Sequence, residues 1–464
     1  AFLIYMLHGQ TQVQPLLTRL LVWLPAGVGI SVLSYVLVTA MAVRFFGLGL
    51  KAGVHKVDSY AGWCAWMTEG LIGGTRAILF PLYAGLITPW WLRLLGAHIG
   101  KGVEASTVTG IPKFIHADEK SFLADDTLVA PAEMRGGWIR FGPARVGKRA
   151  FAGNSGVVAP GRQIHDDSLI AVLSSAPAHS TPGTSWLGRP ARPLPRVAEV
   201  GKDQSRTFNP KKRLVLARMI VESFRVLPWI VSAVLGLGVT VAMEVAQQTF
   251  GWLVAGLLMA PILFVAGLIA AGITTVVKWV LVGRFKTAQH PLWSSFVWRN
   301  ELFDVFYEML GVPWFGGTTL GTPMINVWLR TLGAKIGRSV WLESYWLPET
   351  DLVHLGHGVT VNRGCVLQTH LFHDRLMRVD GVRLDAGASL GPNSVILPGA
   401  SLGVRASVGA ASLVMRGEAV PARSRWSGNA LTAEAGVSAP FVADRSRTVA
   451  MRLVTPFAKS QKAA

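Results

Sequence analysis

The feature that most constrains the fold of this chain is that it repeats itself. Trp66-x-x-Glu69 recurs as Trp298-x-x-Glu301, and Thr88-Pro89 as Thr322-Pro323. Leu92-Arg93-Leu94-Leu95-Gly96-Ala97-x-Ile99-Gly100 returns as Leu329-Arg330-Thr331-Leu332-Gly333-Ala334-x-Ile336-Gly337. Gly153-Asn154-Ser155 pairs with Pro392-Asn393-Ser394, and Trp186-x-Gly188 with Trp426-x-Gly428. The offsets climb from 232 to 240 without a reversal. One unit has therefore been copied whole, and a fold assigned to one half must serve the other.

After each Leu-Gly-Ala-x-Ile-Gly a period of six begins. It is clearest from Val382 to Val414, where Val382, Ala388, Val395, Ala400, Ala406 and Ser412 fall near hexad positions. Leu390-Gly391, Leu402-Gly403 and Val408-Gly409 complete a [LIV]-Gly-x-x-[ASV]-x pattern, with one extra residue at Pro392. The first half carries a more degraded version: Val146-Gly147, Phe151-Ala152-Gly153-Asn154 and Val157-Val158-Ala159-Pro160-Gly161. Such hexads predict a left-handed parallel β-helix, in which three short strands close one triangular coil. Small or β-branched side chains stack inward and glycine permits the corners. Hexapeptide β-helices are more often acyltransferases than scaffolds, but that is an argument from fold and needs a site.

The chain is 464 residues long, 51% hydrophobic and 15% charged, with a mean hydropathy of +0.40. That is too apolar for an ordinary soluble protein. Spans of roughly 20 apolar residues suit a bilayer core. They occur at Leu20–Phe46, from about Val226 to Ala246, and from about Trp252 to Val282. The last two are joined around Gln247–Gly251 and are expected to form a hairpin. The fold class expected is a mixed membrane protein, with tandem left-handed parallel β-helices alternating with transmembrane α-helices.

The segments flanking the hairpin hold most of the Lys and Arg, which places the β-helices in the cytoplasm of a multi-pass cell-membrane protein. The net charge of +19 then reflects this bias and attraction to anionic lipid of the bilayer. The basic residues are scattered, without an RRM, zinc or helix-turn-helix signature, so no nucleic acid partner is expected. Cys64 and Cys365 lie in different halves without CxxC spacing, so neither a disulfide framework nor a metal site is expected.

The expected division is 1–57 (an N-terminal helix remnant and a transmembrane helix), 58–95 (amphipathic interfacial helices), 96–200 (first β-helix), 201–286 (transmembrane hairpin), 287–332 (interfacial helices), 333–435 (second β-helix) and 436–464 (a basic tail). Trp63, Trp66, Trp90 and Trp91 suit the interfacial depth, with a re-entrant hairpin as the competing reading of residues 60–95. Projecting the repeat backward, Ala1–Leu7 reads as the tail of a membrane helix, with a further copy upstream.

The candidate chemistry lies in Gln368-Thr369-His370-Leu371-Phe372-His373-Asp374-Arg375, where the coil periodicity breaks. Acyl transfer from a thioester to an amine needs a base for the amine proton, and a histidine oriented by a carboxylate supplies one. His370 is the candidate base, with His373 beside it and Asp374 or Asp351 to hold its other nitrogen. Glu343, Glu349 and Asp351 are expected to form an acidic rim for a cationic amine. Gln368 is a further substrate-binding candidate, and Asn362 or coil amides could stabilise the oxyanion. The competing reading makes His370 and His373 ordinary loop histidines. The first half reads Ala130-Pro131-Ala132-Glu133-Met134-Arg135 at the same place, without histidine. It is expected to act as a structural or substrate-guiding copy. Its His165-Asp166-Asp167 reads as a solvated turn.

The stretches His290-Pro291-Leu292-Trp293, Phe296-Val297-Trp298-Arg299, Glu301-Leu302, Gln368 to Phe372 and Leu397-Pro398-Gly399-Ala400 resemble the C-terminal membrane region of ε-poly-lysine synthetase-like nonribosomal peptide synthetases. The resemblance covers essentially the whole chain. It implies three tandem soluble units, of which this chain would hold the last two, and iterative amide formation. An aminoacyl group would pass from a phosphopantetheine thioester, delivered by upstream adenylation and carrier domains, to a free amine or growing polymer. Two other readings stay open. One is a membrane-bound acyltransferase using acyl-CoA on an envelope sugar or lipid; the other is a non-enzymatic scaffold for polymer export. β-Helix acyltransferases usually place their sites between neighbouring coils of a trimer. A tandem chain could build a pseudo-symmetric version internally, with a homo-oligomer as the alternative.

Overall fold

The computed structural model describes residues 13–196 and 203–434. The expected helix remnant at Ala1–Leu7 and the basic tail 436–464 lie outside the described residues.

Both halves wind parallel strands into a three-faced β-helix. In the second half Arg383 pairs with Ser401 and Ser401 with Ala419, each step 18 residues, which is one coil of three hexads. The other two faces keep that step, Ser389 to Ser407 and Val395 to Leu413. The first half shows it between Phe151 and Leu169. The hexad positions point inward as expected: Ala388, Leu390, Leu402 and Ala406 are fully buried. Glycine is required at Gly391, where a Cβ would meet the backbone of Gly409 in the next coil at 2.6 Å.

In each half one pairing step lengthens to 29 residues, Phe122 to Phe151 and Thr360 to Ser389. The extra residues leave the coil as an antiparallel hairpin. It is Glu133–Arg135 with Trp138–Phe141 in the first half and His370–His373 with Leu376–Val379 in the second. A third antiparallel strand joins each from the preceding segment, Gly53–Lys56 and Ala288–Pro291. The break in periodicity at His370 is thus a structural element that both copies possess.

The helices are α1 (Val13–Leu48), α2 (Tyr60–Ile78), α3 (Thr88–Leu95), α4 (Lys212–Ser223), α5 (Leu227–Leu281), α6 (Ser295–Phe306) and α7 (Pro323–Thr331). A π-helical stretch, Tyr307–Gly316, follows α6. Two helical stretches, Val22–Leu48 and Lys212–Leu281, are long and apolar enough to cross a membrane. The second is broken at Gly251 (φ 79°, ψ 171°), a conformation open to glycine. Trp314 donates to Ser232 on one arm, and its carbonyl packs on Gly267 of the other. In one straight helix those residues would stand about 50 Å apart, so the chain reverses at Gly251 into a hairpin.

The duplication extends to single hydrogen bonds. Arg93 spans the carbonyls of Ile99 and Gly100 at 2.9 and 2.8 Å, and Arg330 spans those of Ile336 and Gly337 at 3.0 and 2.8 Å. The interfacial segments differ more. Trp63, Trp66 and Trp90 are exposed, but Trp91 is buried and donates to the Tyr83 hydroxyl. In the second half Trp298 and Trp328 are buried. The α5 hairpin arm covers Trp328, which donates to the Ala271 carbonyl at 3.2 Å.

The two β-helices touch. Arg375, buried at the tip of the second hairpin, donates to the Gly102 and Lys120 carbonyls of the first coil and to Thr207. Phe122 packs on Phe372, and Asn429 donates to the Leu173 carbonyl.

Candidate active site between the two halves

The hairpin strand His370–His373 and the coil corner ending in the short turn Thr350–Leu352 bring His370 against Glu349. The Glu349 side chain is fully buried. Its two oxygens stand 2.8 and 3.0 Å from His370 Nδ1. The carboxylate also accepts from the Thr369 hydroxyl at 2.5 Å and from Asn300 Nδ2 at 2.9 Å. An ionised carboxylate only accepts, so Nδ1 keeps its proton in either charge state and Nε2 is the ring nitrogen that gains or loses one. Among the described residues Nε2 has no protein partner.

Burial pushes the Glu349 carboxyl up, but the His370 charge and three hydrogen bonds outweigh it and leave it below the ordinary carboxylate range. Burial likewise pushes His370 down. The Glu349 charge and hydrogen bond outweigh it, with Asp304 and Asp125 adding to the field, and raise His370 to about 9. The pair therefore rests as imidazolium and carboxylate near neutral pH.

His370 lines a cavity between the two halves that encloses about 1140 Å³ of non-protein space, part of it open to solvent. The first coil contributes Glu104, Ser106, Phe122 and Asp125, and the second Trp346, Gln368 and Phe372. α6 and the π turn contribute Asn300, Asp304 and Glu308. Arg218 of α4 clamps the wall, donating to Glu222 at 2.6 Å and to Glu104 at 3.2 Å. Arg225 bonds Glu301 at 2.7 Å.

This geometry corrects several expectations. Glu349 is not part of an acidic rim: it is the buried partner of His370. Asp374 does not hold His370, because the hairpin turn carries it to Arg196 at 2.5 Å, with His373 Nε2 at 3.4 Å. His373 therefore sits in that cluster with Arg196 and away from the dyad. Asp351 neither holds His370 nor forms a rim. It accepts from Lys278 of α5 at 2.6 Å and from the Phe285 amide at 3.1 Å. Glu343 is half-buried beside Gly321 and does not line the cavity. Asn362 donates to the Leu390 carbonyl at 2.8 Å within the coil, so its amide is not free for an oxyanion. Gln368 is buried and lines the cavity.

Sequence reasoning missed Thr369, Asn300, Asp304, Glu308 and Arg218. One signal was available for three of them. Asn300, Asp304 and Glu308 recur every four residues, the spacing of one helical face.

No known protein-family model matches the chain. It is 33% identical over 389 residues to the delta-poly-L-ornithine synthetase of Acinetobacter baumannii (strain AB307-0294), a match covering 82% of this chain. The chain spans about 29% of that relative's length. Among solved structures, it matches a hexapeptide-repeat-containing acetyltransferase from Vibrio cholerae at 17% identity and TM-score 0.20, over 24% of this chain and 77% of that one. A maltose O-acetyltransferase from Clostridium difficile 630 matches at 16% identity and TM-score 0.20, over 26% and 80%.

Proposed function

We propose that this chain is the amide-forming, condensation-type acyltransferase region of a poly(amino acid) synthetase. The observation that carries the reading is the His370–Glu349 dyad, buried on one side and open to an inter-half cavity on the other. The similarity to a poly-ornithine synthetase supports the same class of product.

In the proposed reaction an aminoacyl thioester, brought on a phosphopantetheine arm by a carrier domain, meets a free amine in the cavity. The amine nitrogen attacks the thioester carbonyl. A carbon–nitrogen bond forms, the carbon–sulfur bond breaks, and the amine proton passes to Nε2 of the neutral His370 ring and then to the departing thiolate. Glu349 holds the ring in the required tautomer and stabilises the imidazolium, as an oriented carboxylate does for a catalytic histidine. The phenyl rings of Phe80, Phe122 and Phe372 give the arm an apolar wall. The two long apolar stretches anchor the region in a cell membrane, with both β-helices on the cytoplasmic side.

The test is His370→Ala in the full-length protein. Aminoacyl loading of the carrier is expected to persist while amide formation stops. Normal elongation in that variant would sink the proposal, and turnover driven by acyl-CoA without any carrier would favour the acyl-CoA reading.

A further inference from the structure

The dyad accounts for one side of the cavity. The side formed by α6 and the π turn is lined with oxygen acceptors that receive no hydrogen bond among the described residues. Asn300 is 1% exposed. Its Nδ2 must face the Glu349 carboxylate, which leaves Oδ1 buried without a hydrogen bond. One turn on, Asp304 has neither a hydrogen bond nor an ion pair among the described residues, and it lines the cavity. One turn further, Glu308 also lines it, and its Oε1 is buried without a partner among the described residues. Arg76 acts on Glu308 only through space, because its guanidinium is paired with Asp126.

Two half-buried carboxyls one turn apart repel each other, and buried acceptors without donors, such as Asn300 Oδ1 and Glu308 Oε1, destabilise a fold. Burial and the Glu349 charge hold Asp304 well above the usual carboxylate range, only partly offset by the His370 charge, and burial with the Asp304 charge raises Glu308 to about 8. An ammonium group would relieve both effects, since it brings three donors and a positive charge. The matching face of α2 carries Thr68, Ile72 and Arg76. Only the half with the dyad therefore presents this row of acceptors, and in the other half a cation replaces Glu308.

We propose that Asn300, Asp304 and Glu308 form a subsite for the second, non-reacting ammonium of a diamino acceptor, so that the site selects a cationic acceptor with two amines. This rests on the amide-forming reading above: one amine reacts at His370 while the other is held on α6. Asn300 bridges the two functions, because its amide supports Glu349 while its carbonyl oxygen faces the subsite.

Binding separates this proposal from the reaction itself. The probe is putrescine (1,4-diaminobutane) against n-butylamine, titrated calorimetrically into the full-length protein in nanodiscs. Putrescine is expected to bind more tightly than n-butylamine. Asp304→Asn with Glu308→Gln is expected to weaken putrescine about 10- to 100-fold, the scale of charged hydrogen bonds, and to leave n-butylamine unchanged. His370→Ala is expected to retain putrescine binding. The Asn and Gln variants keep shape and remove repulsion, so a melting temperature at or above the parent's shows that the fold survives. Equal affinity for the two amines, or unchanged putrescine affinity in the double variant, overturns the subsite. If putrescine depends on Asp304 and Glu308 but His370→Ala elongates normally, the subsite stands and the amide-forming reading falls.

Discussion

The two halves share a coil, a hairpin, a Trp-x-Gly motif and a matching arginine clasp, yet only one carries a candidate site. Register locates the difference. The Gln368 amide bonds the Ile396 carbonyl as the Ala130 amide bonds that of Val158, so His370 corresponds to Ala132. Glu349 precedes a short 3₁₀ turn as Ile111 does, so these two correspond. The dyad is thus an Ala–Ile pair in the first half. There the Ala132 amide donates to Glu69, the repeat partner of Glu301, at 3.1 Å. The scaffold is common to both halves, and where the second half has the dyad the first has a hydrogen bond from the Ala132 amide. The halves nevertheless need each other, because the first lends Glu104, Phe122 and Asp125 to the cavity wall.

The largest expected effect breaks this asymmetry at its centre. His370→Ala should lower amide formation by about 10²- to 10⁴-fold, the contribution of a positioned base. Glu133→Ala, on the equivalent hairpin, should leave the rate within twofold. Single-turnover transfer from a loaded carrier measures both. A comparable loss in Glu133→Ala would show that the first half takes part in chemistry.

The next contrast concerns how each half is pinned to its helix. Lys278 on α5 is fully buried and bonds Asp351, which is nearly so. Lys278→Ala would leave Asp351 uncompensated and should destabilise the protein by about 3–5 kcal/mol. Lys113 occupies the place of Asp351 in the first half and donates instead to the Gly47 and Leu50 carbonyls at 2.8 and 2.6 Å, near the surface. Lys113→Ala should cost only about 1 kcal/mol. Thermal denaturation in detergent compares the two, and equal losses would mean that the Lys278 pair is not desolvated.

What was legible in the sequence follows from how local each signal is. The hexads, the turn near Gly251 and the break at His370 are written in consecutive residues, and the structure winds the coils, reverses the chain at Gly251 and sets His370 in the cavity wall. The partner of His370 was not legible. Glu349 stands in sequence between Glu343 and Asp351, and composition alone makes all three a charged strip. Its burial depends on Asn300, which arrives from a helix 49 residues earlier. Asp374 adjoins His373 in sequence, but the hairpin turn gives it to Arg196, 178 residues away. Charge next to histidine was readable; which charge faces the ring depends on tertiary packing.

The smallest effect sharpens the role of Glu349. His370 is raised from its ordinary 6.5 to about 9, with Glu349 as the principal raising influence. A base acts when neutral, so kcat/KM for amide formation should rise with pH and level off near 9. Glu349→Gln removes the carboxylate and leaves burial, which lowers the histidine. The profile should then shift to the acid side, and the plateau should fall about 10-fold as ring orientation is lost. Stability runs the opposite way. A group whose value is raised on folding stabilises the protein below its unfolded value, here near 6.5, and that contribution disappears as pH climbs through about 9. Wild type should therefore lose stability between pH 6.5 and 9 relative to Glu349→Gln, while the first half, with Ala132 and Ile111 in these places, contributes nothing to that difference. A pH profile unmoved by Glu349→Gln would mean that Glu349 supports the fold without tuning His370.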